Sequence, residues 1–589
     1  MDTSTAHFIH LARTFNIPFR IQEPIPVTID SLSAALCCTP RNVKFILRRL
    51  EENAFIHWKP GRGRGHTSEL TFLRGIDEAI EDNFQELMGK GKIKEAIELI
   101  GVTEANETLK ERLLSSLNIQ MGFHSEAETA SRQDVLRMMR GRRLEKLDPA
   151  FVITAFEAYL LGQICSTLVT YDASTQTFLP GLAHTWECSE DHKIWVFFLR
   201  KSVRFHHGRV MTSRDVKETL QRLFDLNSPA IWNYEDIEQV SVEGDHCIRF
   251  ELRRPNLFFL HLFSCMHMSI LPYDVDIRTE LIGTGPYRIS NLNEDVLVLS
   301  AFEQYYGIRP HLDRVDIWFV PDHGPNERHY ELPGAYRMKL PSEGSVTNSI
   351  NYPALGCRYM LVNFRKKGVH HQLAFRQALR ILYNQAALVR ELGGNRITPA
   401  DSFLPWKSAQ REWTEPPLEQ ARELLASSGY QGERILLAYT VHKDLEEADW
   451  LKRRGAEIGL DIELQSYIQS HSKDALSSAE LIMAEEILED DWQWGLINYF
   501  RNKSNYLHAY LESAQSSMLD RELENFTQLD GEGRAELLDT VEGIIRDHCW
   551  LLYGSHVNKR AQLNHSLLGL HTSSFGFLDI SKLWIKPVH

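Results

Sequence analysis

The chain has 589 residues, too many for one hydrophobic core, so two or more folding units are expected. With 43% hydrophobic and 24% charged residues the composition is that of an ordinary globular protein and does not suggest long disordered stretches. The net charge of -14 argues against a wholly nucleic-acid-covered surface, yet residues 39–66 carry seven Lys/Arg against two Glu, a basic segment inside an acidic chain.

The opening MDTSTAHFIHLARTF has Asp2 where a signal peptide needs positive charge, and polar residues interrupt what would be its apolar core, so a cytoplasmic location is expected. Phe8, Leu11, Ala12 and Phe15 share one face at helical spacing, and Ile29, Leu32, Ala35 and Leu36 do the same in a second short helix. A third helix starts sharply at Thr39, a natural N-cap, with Pro40 at the first helical position, where its missing N–H costs nothing. Its core face is Val43, Ile46, Leu47 and Leu50, which leaves Arg41, Asn42, Lys44, Arg48 and Arg49 facing other directions.

Three small helices with a tight turn before the last predict a helix-turn-helix, whose third helix enters the major groove with its N-terminal residues toward base edges. FIHWKP and TSELTFL then read as two short strands joined by the glycine-arginine run GRGRG, which makes a wing. That run has neither the G-x-x-x-x-G-K-[ST] spacing of a phosphate loop nor a dinucleotide fingerprint opening a helix. Its glycines allow close approach, and Arg62 and Arg64 supply charge for phosphate or minor-groove contact. The candidate contacts to double-stranded DNA are Thr39, Arg41, Asn42, Lys44, Arg48, Lys59, Arg62 and Arg64. Residues 1–75 are thus expected to form a winged helix-turn-helix domain and 76–131 a helical connector, with GIDEAIEDNFQELMGKGKIKEAIELIG and NETLKERLLSSLNI as its helices. The run LSAALCCTPRNVKFILRRLEENAFIHWKPGRGRGHTSELTFL resembles the N-terminal DNA-binding domain of the SgrR family of bacterial transcription regulators, over roughly residues 5–115.

From 132 the periodicity changes to alternating strands and helices, so 132–589 is expected to be an α/β region. KIWVFFLRKSVRF reads as strand, and TSRDVKETLQRLFDL as a helix capped by Thr212 or Ser213. LDPAF, LPGLAHTWECSEDHKIWVFFLRKSVRFHHGRVMTSRDVKETLQRL, GTGPYRI, YMLVNF with FRQALRIL, and PPLEQARELLASSGY resemble, in order and spacing, the family 5 solute-binding proteins of ABC transporters. That resemblance implies a bilobal, type II periplasmic-binding-protein-like α/β domain, so the fold class is multidomain α/β with a winged helix-turn-helix in front. The C-terminal SSFGFLDISKLWIKP again resembles the end of SgrR-family chains.

The most apolar window, NLFFLHLFSCMHMSIL, is too short and polar for a bilayer span and reads as a buried element, so no membrane is expected as a partner. Eight scattered cysteines without a C-x-x-C pair suit reduced thiols. GTGPY reads as a fold signature, its glycines placed where backbones pass closely. His206 and His207 would point to opposite faces of a strand, and neither His370-His371 nor His7 with His10 has an acidic or cysteine companion nearby, so no metal or other cofactor is expected. No nucleophile elbow, H-E-x-x-H or P-loop occurs, and Asp490 and Asp491 would diverge on a strand, so no enzyme is expected.

The family 5 resemblance carries ligand candidates onto AEEILEDDWQWGLINYF: Glu485 and Glu486 as acids for an amine or hydroxyl, Trp492 and Trp494 as aromatic walls, with Asn363 and Trp406 as further cleft residues. The usual D-Y-x-[DE]-P of that family is missing here, which puts peptide specificity in doubt. The whole reads as a regulator whose solute-binding module senses a sugar, sugar phosphate or peptide-like molecule, with a homodimer expected from paired half-sites. The alternative is the solute-binding component of a peptide-type ABC transporter. It would need export or a lipid-anchored cysteine, and the first cysteine, Cys37, follows no apolar run.

Overall fold

The computed structural model describes the chain except at residues 1–2, 16–20, 62–66, 103–106, 121, 129–130, 141–143, 145–146, 153, 320–346, 441–443, 468–472, 565–566, 572–576 and 586–589. It divides into two units, Met1–Gly122 and Phe123–His589.

The first unit opens α1 (Thr3–Thr14), β1 (Pro24–Val27), α2 (Ile29–Ala35), α3 (Pro40–Glu52), β2 (Ile56–Lys59) and β3 (Ser68–Phe72). Thr28 starts α2 with a reciprocal cap: its hydroxyl accepts from the Ser31 N–H at 3.0 Å, and the Ser31 hydroxyl accepts from the Thr28 N–H at 3.1 Å. The apolar faces meet as their spacing requires. Phe8, Leu11 and Ala12 of α1, Leu32 of α2, and Val43, Ile46, Leu47 and Leu50 of α3 are all buried. Phe8 is the centre of this core, stacked on Phe55 at 4.8 Å and tilted against Phe72 at 6.0 Å. The antiparallel sheet has the order β1-β3-β2, with Ile56 opposite Phe72 and Lys59 opposite Glu69. This is a winged helix-turn-helix topology.

β1 has no counterpart in the sequence reading. Pro24 and Pro26 lack the N–H a ladder needs, yet they face outward at an edge position while Ile25 and Val27 point into the core. The segment expected as a connector is divided: α4 (Ile76–Gly89), α5 (Ile93–Val102) and α6 (Glu107–Gln120) fall within the first unit, whereas the strand Gly122–Glu128 pairs into a sheet of the second.

In the second unit a five-stranded sheet runs in the order Tyr287–Leu292, Val296–Ala301, Arg314–Phe319, Ser131–Arg140, Gly122–Glu128, the third and fourth strands parallel. It shares a core with the helix Ala155–Ile164 and with Leu578, Ile580 and Leu583 from near the C-terminus. A four-stranded antiparallel sheet is ordered Ile237–Val242, Cys247–Leu252, Ile194–Leu199, Ala183–Cys188. Its alternate residues Phe197, Leu199, Ile248 and Phe250 are buried. The helix Ser213–Asp225 beside it is capped by Thr212, with Asp215 as the reciprocal partner.

The second lobe is a sheet ordered Ile462–Tyr467, Ile435–Thr440, Leu481–Ile487, Gly356–Val362, Leu551–Tyr553. Its first three strands are parallel. Every residue of Gly356–Val362 is buried, as expected for a central strand covered on both faces. The GTGPY turn is built on close approach: a Cβ on Gly283 would lie 2.1 Å from the Ile164 carbonyl oxygen, and one on Gly285 2.5 Å from the Ile164 carbonyl carbon. His206 holds this turn, its Nδ1 accepting from the Gly283 N–H at 3.3 Å and its Nε2 3.1 Å from the Gly285 carbonyl oxygen. Burial pushes its pKa down to about 4, so the ring is neutral.

Candidate nucleic-acid interface and ligand cleft

Thr39 occupies the N-cap of α3, but its side chain makes no cap hydrogen bond, and Pro40 follows it. The hydroxyl expected to cap the helix is therefore exposed at its positive end. Arg41, Asn42 and Lys44 in the first turns are likewise exposed. Arg48 differs, since it pairs with Glu52 one turn later at 3.0 Å. Lys59 is also engaged, bonding across the hairpin to Glu69 at 2.9 Å. Both are surface pairs of low strength that a phosphate could displace. Arg62 and Arg64 lie outside the described residues. The arms that lead to them are set by β2 and β3, with the Gly61 N–H donating to Ser68 Oγ at 3.1 Å.

In the second unit the parallel strands Ile435–Thr440, Ile462–Tyr467 and Leu481–Ile487 end on one edge, the edge at which open α/β sheets receive ligands. Glu485 and Glu486 lie there but do not converge, because adjacent residues of a strand point to opposite faces. Glu485 stands opposite Arg358 in the ladder. It joins a buried charged group in which Glu447 lies 3.6 Å from Arg358 and 3.3 Å from Arg396. Burial pushes the Asp444 carboxyl there up to about 6, against the pull of Arg358 and with the help of Glu447 and Glu485.

Glu486 stands opposite Cys357 on the other face, with Tyr359 and Tyr499 within reach of its charge. Burial, then the neighbouring Glu485, push its carboxyl up to about 8, which favours the protonated form at neutral pH, a form with an O–H to offer.

Asn363 is at the wrong end for this site. Gly356–Val362 runs antiparallel to Leu481–Ile487, so Asn363 sits beside Glu480, a full strand length from Glu486. It is fully buried, and its amide donates to the Ala479 carbonyl at 2.8 Å, a packing role in place of the expected cleft role.

The two tryptophans also separate. Trp492 meets Trp406 edge to face at 5.9 Å, and Trp406 is 46% exposed, so these two candidates do come together as an aromatic surface. Trp494 is buried to 1%, stacked on Trp232 at 6.3 Å, and its indole N–H donates to Glu489 at 3.1 Å. Residues 488–491 form a loop, not a strand, so Asp490 and Asp491 do not alternate as expected. Asp491 caps the helix Trp492–Arg501 by accepting from the Trp494 N–H at 3.2 Å, and it also hydrogen-bonds the His261 imidazole. His261 stacks on Phe258 at 4.0 Å.

Glu489, Trp232 and His261 were not singled out by the sequence reading, and Asp491 was weighed there only as half of a carboxylate pair with Asp490. The acidic run was visible, but its position past the end of a strand was not. Burial pushes Glu489 up to about 7, opposed by the indole hydrogen bond and reinforced by Asp491 and Asp490. Acids held near neutrality beside indole and phenol rings suit hydrogen bonding and stacking with a polar organic molecule. Among the described residues no group of three or more His, Cys, Asp or Glu is placed to hold a metal ion, and no helix is long and apolar enough to cross a membrane.

Two family models match the chain: Sugar transport-related sRNA regulator N-term over residues 4–124, and Bacterial extracellular solute-binding proteins, family 5 Middle, over 177–484. YhjP of Bacillus subtilis is 30% identical over 98% of this chain and 99% of its own length. The HTH-type transcriptional regulator SgrR of Yersinia enterocolitica is 26% identical over 96% of each chain. Among solved structures, a dipeptide binding protein from Pseudoalteromonas in complex with Met-Leu is 18% identical, with a TM-score of 0.66 over 77% of this chain and 100% of its own. NikZ from Campylobacter jejuni, in complex with Ni(L-His), is 17% identical, with a TM-score of 0.65 over 76% of this chain and 99% of its own. The chain belongs to the SgrR family: regulators in which an N-terminal helix-turn-helix unit is joined to a family 5 solute-binding domain.

Proposed function

We propose that this regulator binds operator DNA through the N-terminal turns of α3 and the β2–β3 wing, and that its solute-binding domain senses a small polar molecule that alters that binding. The observation that carries the reading is the exposed set Thr39, Arg41, Asn42 and Lys44 at the open N-terminus of α3, in a chain whose larger part has the fold of solute-binding proteins. Base edges and phosphates are what such a helix end recognises in duplex DNA. Arg62 and Arg64 extend the contact from the wing.

The ligand is a sugar, sugar phosphate or peptide-like molecule that stacks on Trp406 and Trp492 and hydrogen-bonds Glu486 or Glu489. In this reading the regulator works in the cytoplasm as a homodimer on paired half-sites. The test is a mobility-shift titration on promoter fragments at several salt concentrations, with and without members of those three ligand classes. Salt-dependent retardation that one class alters supports the reading, since a ligand of equal affinity for both states shifts nothing. Retardation absent at every salt concentration refutes the DNA assignment, and no thermal shift with any of the three classes refutes the sensing one.

A further inference from the structure

The outward face of α3 is not purely polar. Phe45 is 65% exposed, the most exposed aromatic among the described residues. At 3.6 residues per turn, Arg41, Phe45, Arg48 and Glu52 fall on one ridge, directly opposite the buried Val43, Ile46, Leu47 and Leu50. Phe45 therefore stands at the centre of the cationic face, between exposed Arg41 and the Arg48–Glu52 pair. The packing of the unit does not need it there, because α3 already buries four apolar side chains on its other side.

We propose that Phe45 is a specificity residue that packs on the 5-methyl group of thymine in the major groove, so that the protein prefers an A·T pair at the position Phe45 faces. This rests on the DNA-binding reading above and deepens it. The thymine methyl is the one apolar group on the major-groove edge of the bases, and phenylalanine is among the side chains that contact it. The charge around Phe45 selects DNA over a second copy of the chain. A two-fold pairing of this face would bring two net-positive surfaces together, Arg41, Lys44, Arg48 and Arg49 of each copy outweighing Glu52, whereas a duplex brings phosphates to them while Phe45 meets the base edges.

The experiment uses the full chain. Preferred sequences are selected from a random-sequence duplex pool with the wild type, and affinities are then measured on duplexes in which uracil replaces thymine at one position at a time. Wild type should lose about fourfold at one position per half-site, the factor that burial of a single methyl group gives. Phe45→Ala should bind the thymine and uracil duplexes equally, while Arg41→Ala weakens all duplexes alike. Circular dichroism checks that both variants keep the fold. A wild type indifferent to the methyl at every position, or a Phe45→Ala that keeps the full uracil penalty, overturns the inference while leaving DNA binding intact. Failure of the wild type to enrich any sequence refutes the DNA reading itself. A Phe45→Ala that changes oligomeric state with an unchanged uracil penalty assigns the face to self-association instead.

Discussion

Asp491→Ala removes two buried interactions at once, the cap on the Trp494 N–H and the hydrogen bond to His261. Loss of an N-cap costs about 1 kcal/mol, and a buried imidazole left without its partner costs about 1–3 kcal/mol. The expected destabilisation of the solute-binding domain is therefore about 2–4 kcal/mol. Asp491→Asn retains a good capping oxygen and isolates the His261 contribution, so it should cost less than the alanine variant. Urea denaturation followed by tryptophan emission reads the domain transition, with Trp232 and Trp494 stacked beside the site. Combining Asp491→Ala with His261→Ala closes a double-mutant cycle. Single costs that add to within about 0.5 kcal/mol would show that the two side chains do not interact, and the reasoning would fall.

Arg41→Ala and Lys44→Ala should each weaken DNA binding and lower the slope of affinity against salt by about one, whereas Lys59→Ala, whose charge is already opposed by Glu69, should do less; titrations at three salt concentrations decide. Glu486 has a folded pKa of about 8, above its ordinary value, so its neutral form favours the folded state below the ordinary carboxylate range and that contribution is lost as pH rises toward 8. Glu486→Gln should accordingly flatten the fall in stability between about pH 5 and 8, read from denaturation midpoints across that window. Gly283→Ala places a Cβ against the Ile164 carbonyl and should abolish soluble expression of the folded domain or sharply lower its melting temperature.

The sequence revealed the winged helix-turn-helix unit well because its signals are local. Thr39-Pro40 starts a helix, and Val43, Ile46, Leu47 and Leu50 give one face at the helical period. β1 escaped the same reading because Pro24 and Pro26 forbid a central strand, and only the tertiary position of β3 makes an edge strand possible. The proposed ligand site was harder for the same reason. Alternation separates Glu485 from Glu486 because the strand runs to Ile487, and it does not apply to Asp490 and Asp491, which lie past its end. Where a strand stops decides both facts, and no residue in EEILEDDW marks that point. Trp232 and His261 join the site from more than two hundred residues away, through a packing no local pattern encodes. Phe45 was passed over among the residues off the core face of α3, although the helical period places it there, and its exposure is what drew it out.

A ligand changes DNA affinity only by binding one state of the protein more tightly than another, typically by about 1–3 kcal/mol. The packing limits which states those are. The four-stranded sheet and the second lobe share a single apolar core, with Phe258 against Phe526 at 4.9 Å and Trp232 against Trp494. The five-stranded sheet has a core of its own around Tyr287, Leu297 and Leu312. Opening the shared core would expose Phe258, Phe526 and Trp494, at about 1.5–3 kcal/mol each, and break the His261–Asp491 hydrogen bond. That sum exceeds the differential binding a small molecule supplies. If the domain senses a ligand as proposed, a movement along the boundary between the two cores would leave both interiors closed, and the cheaper pair of states is one that differs there with the aromatic seam intact in each.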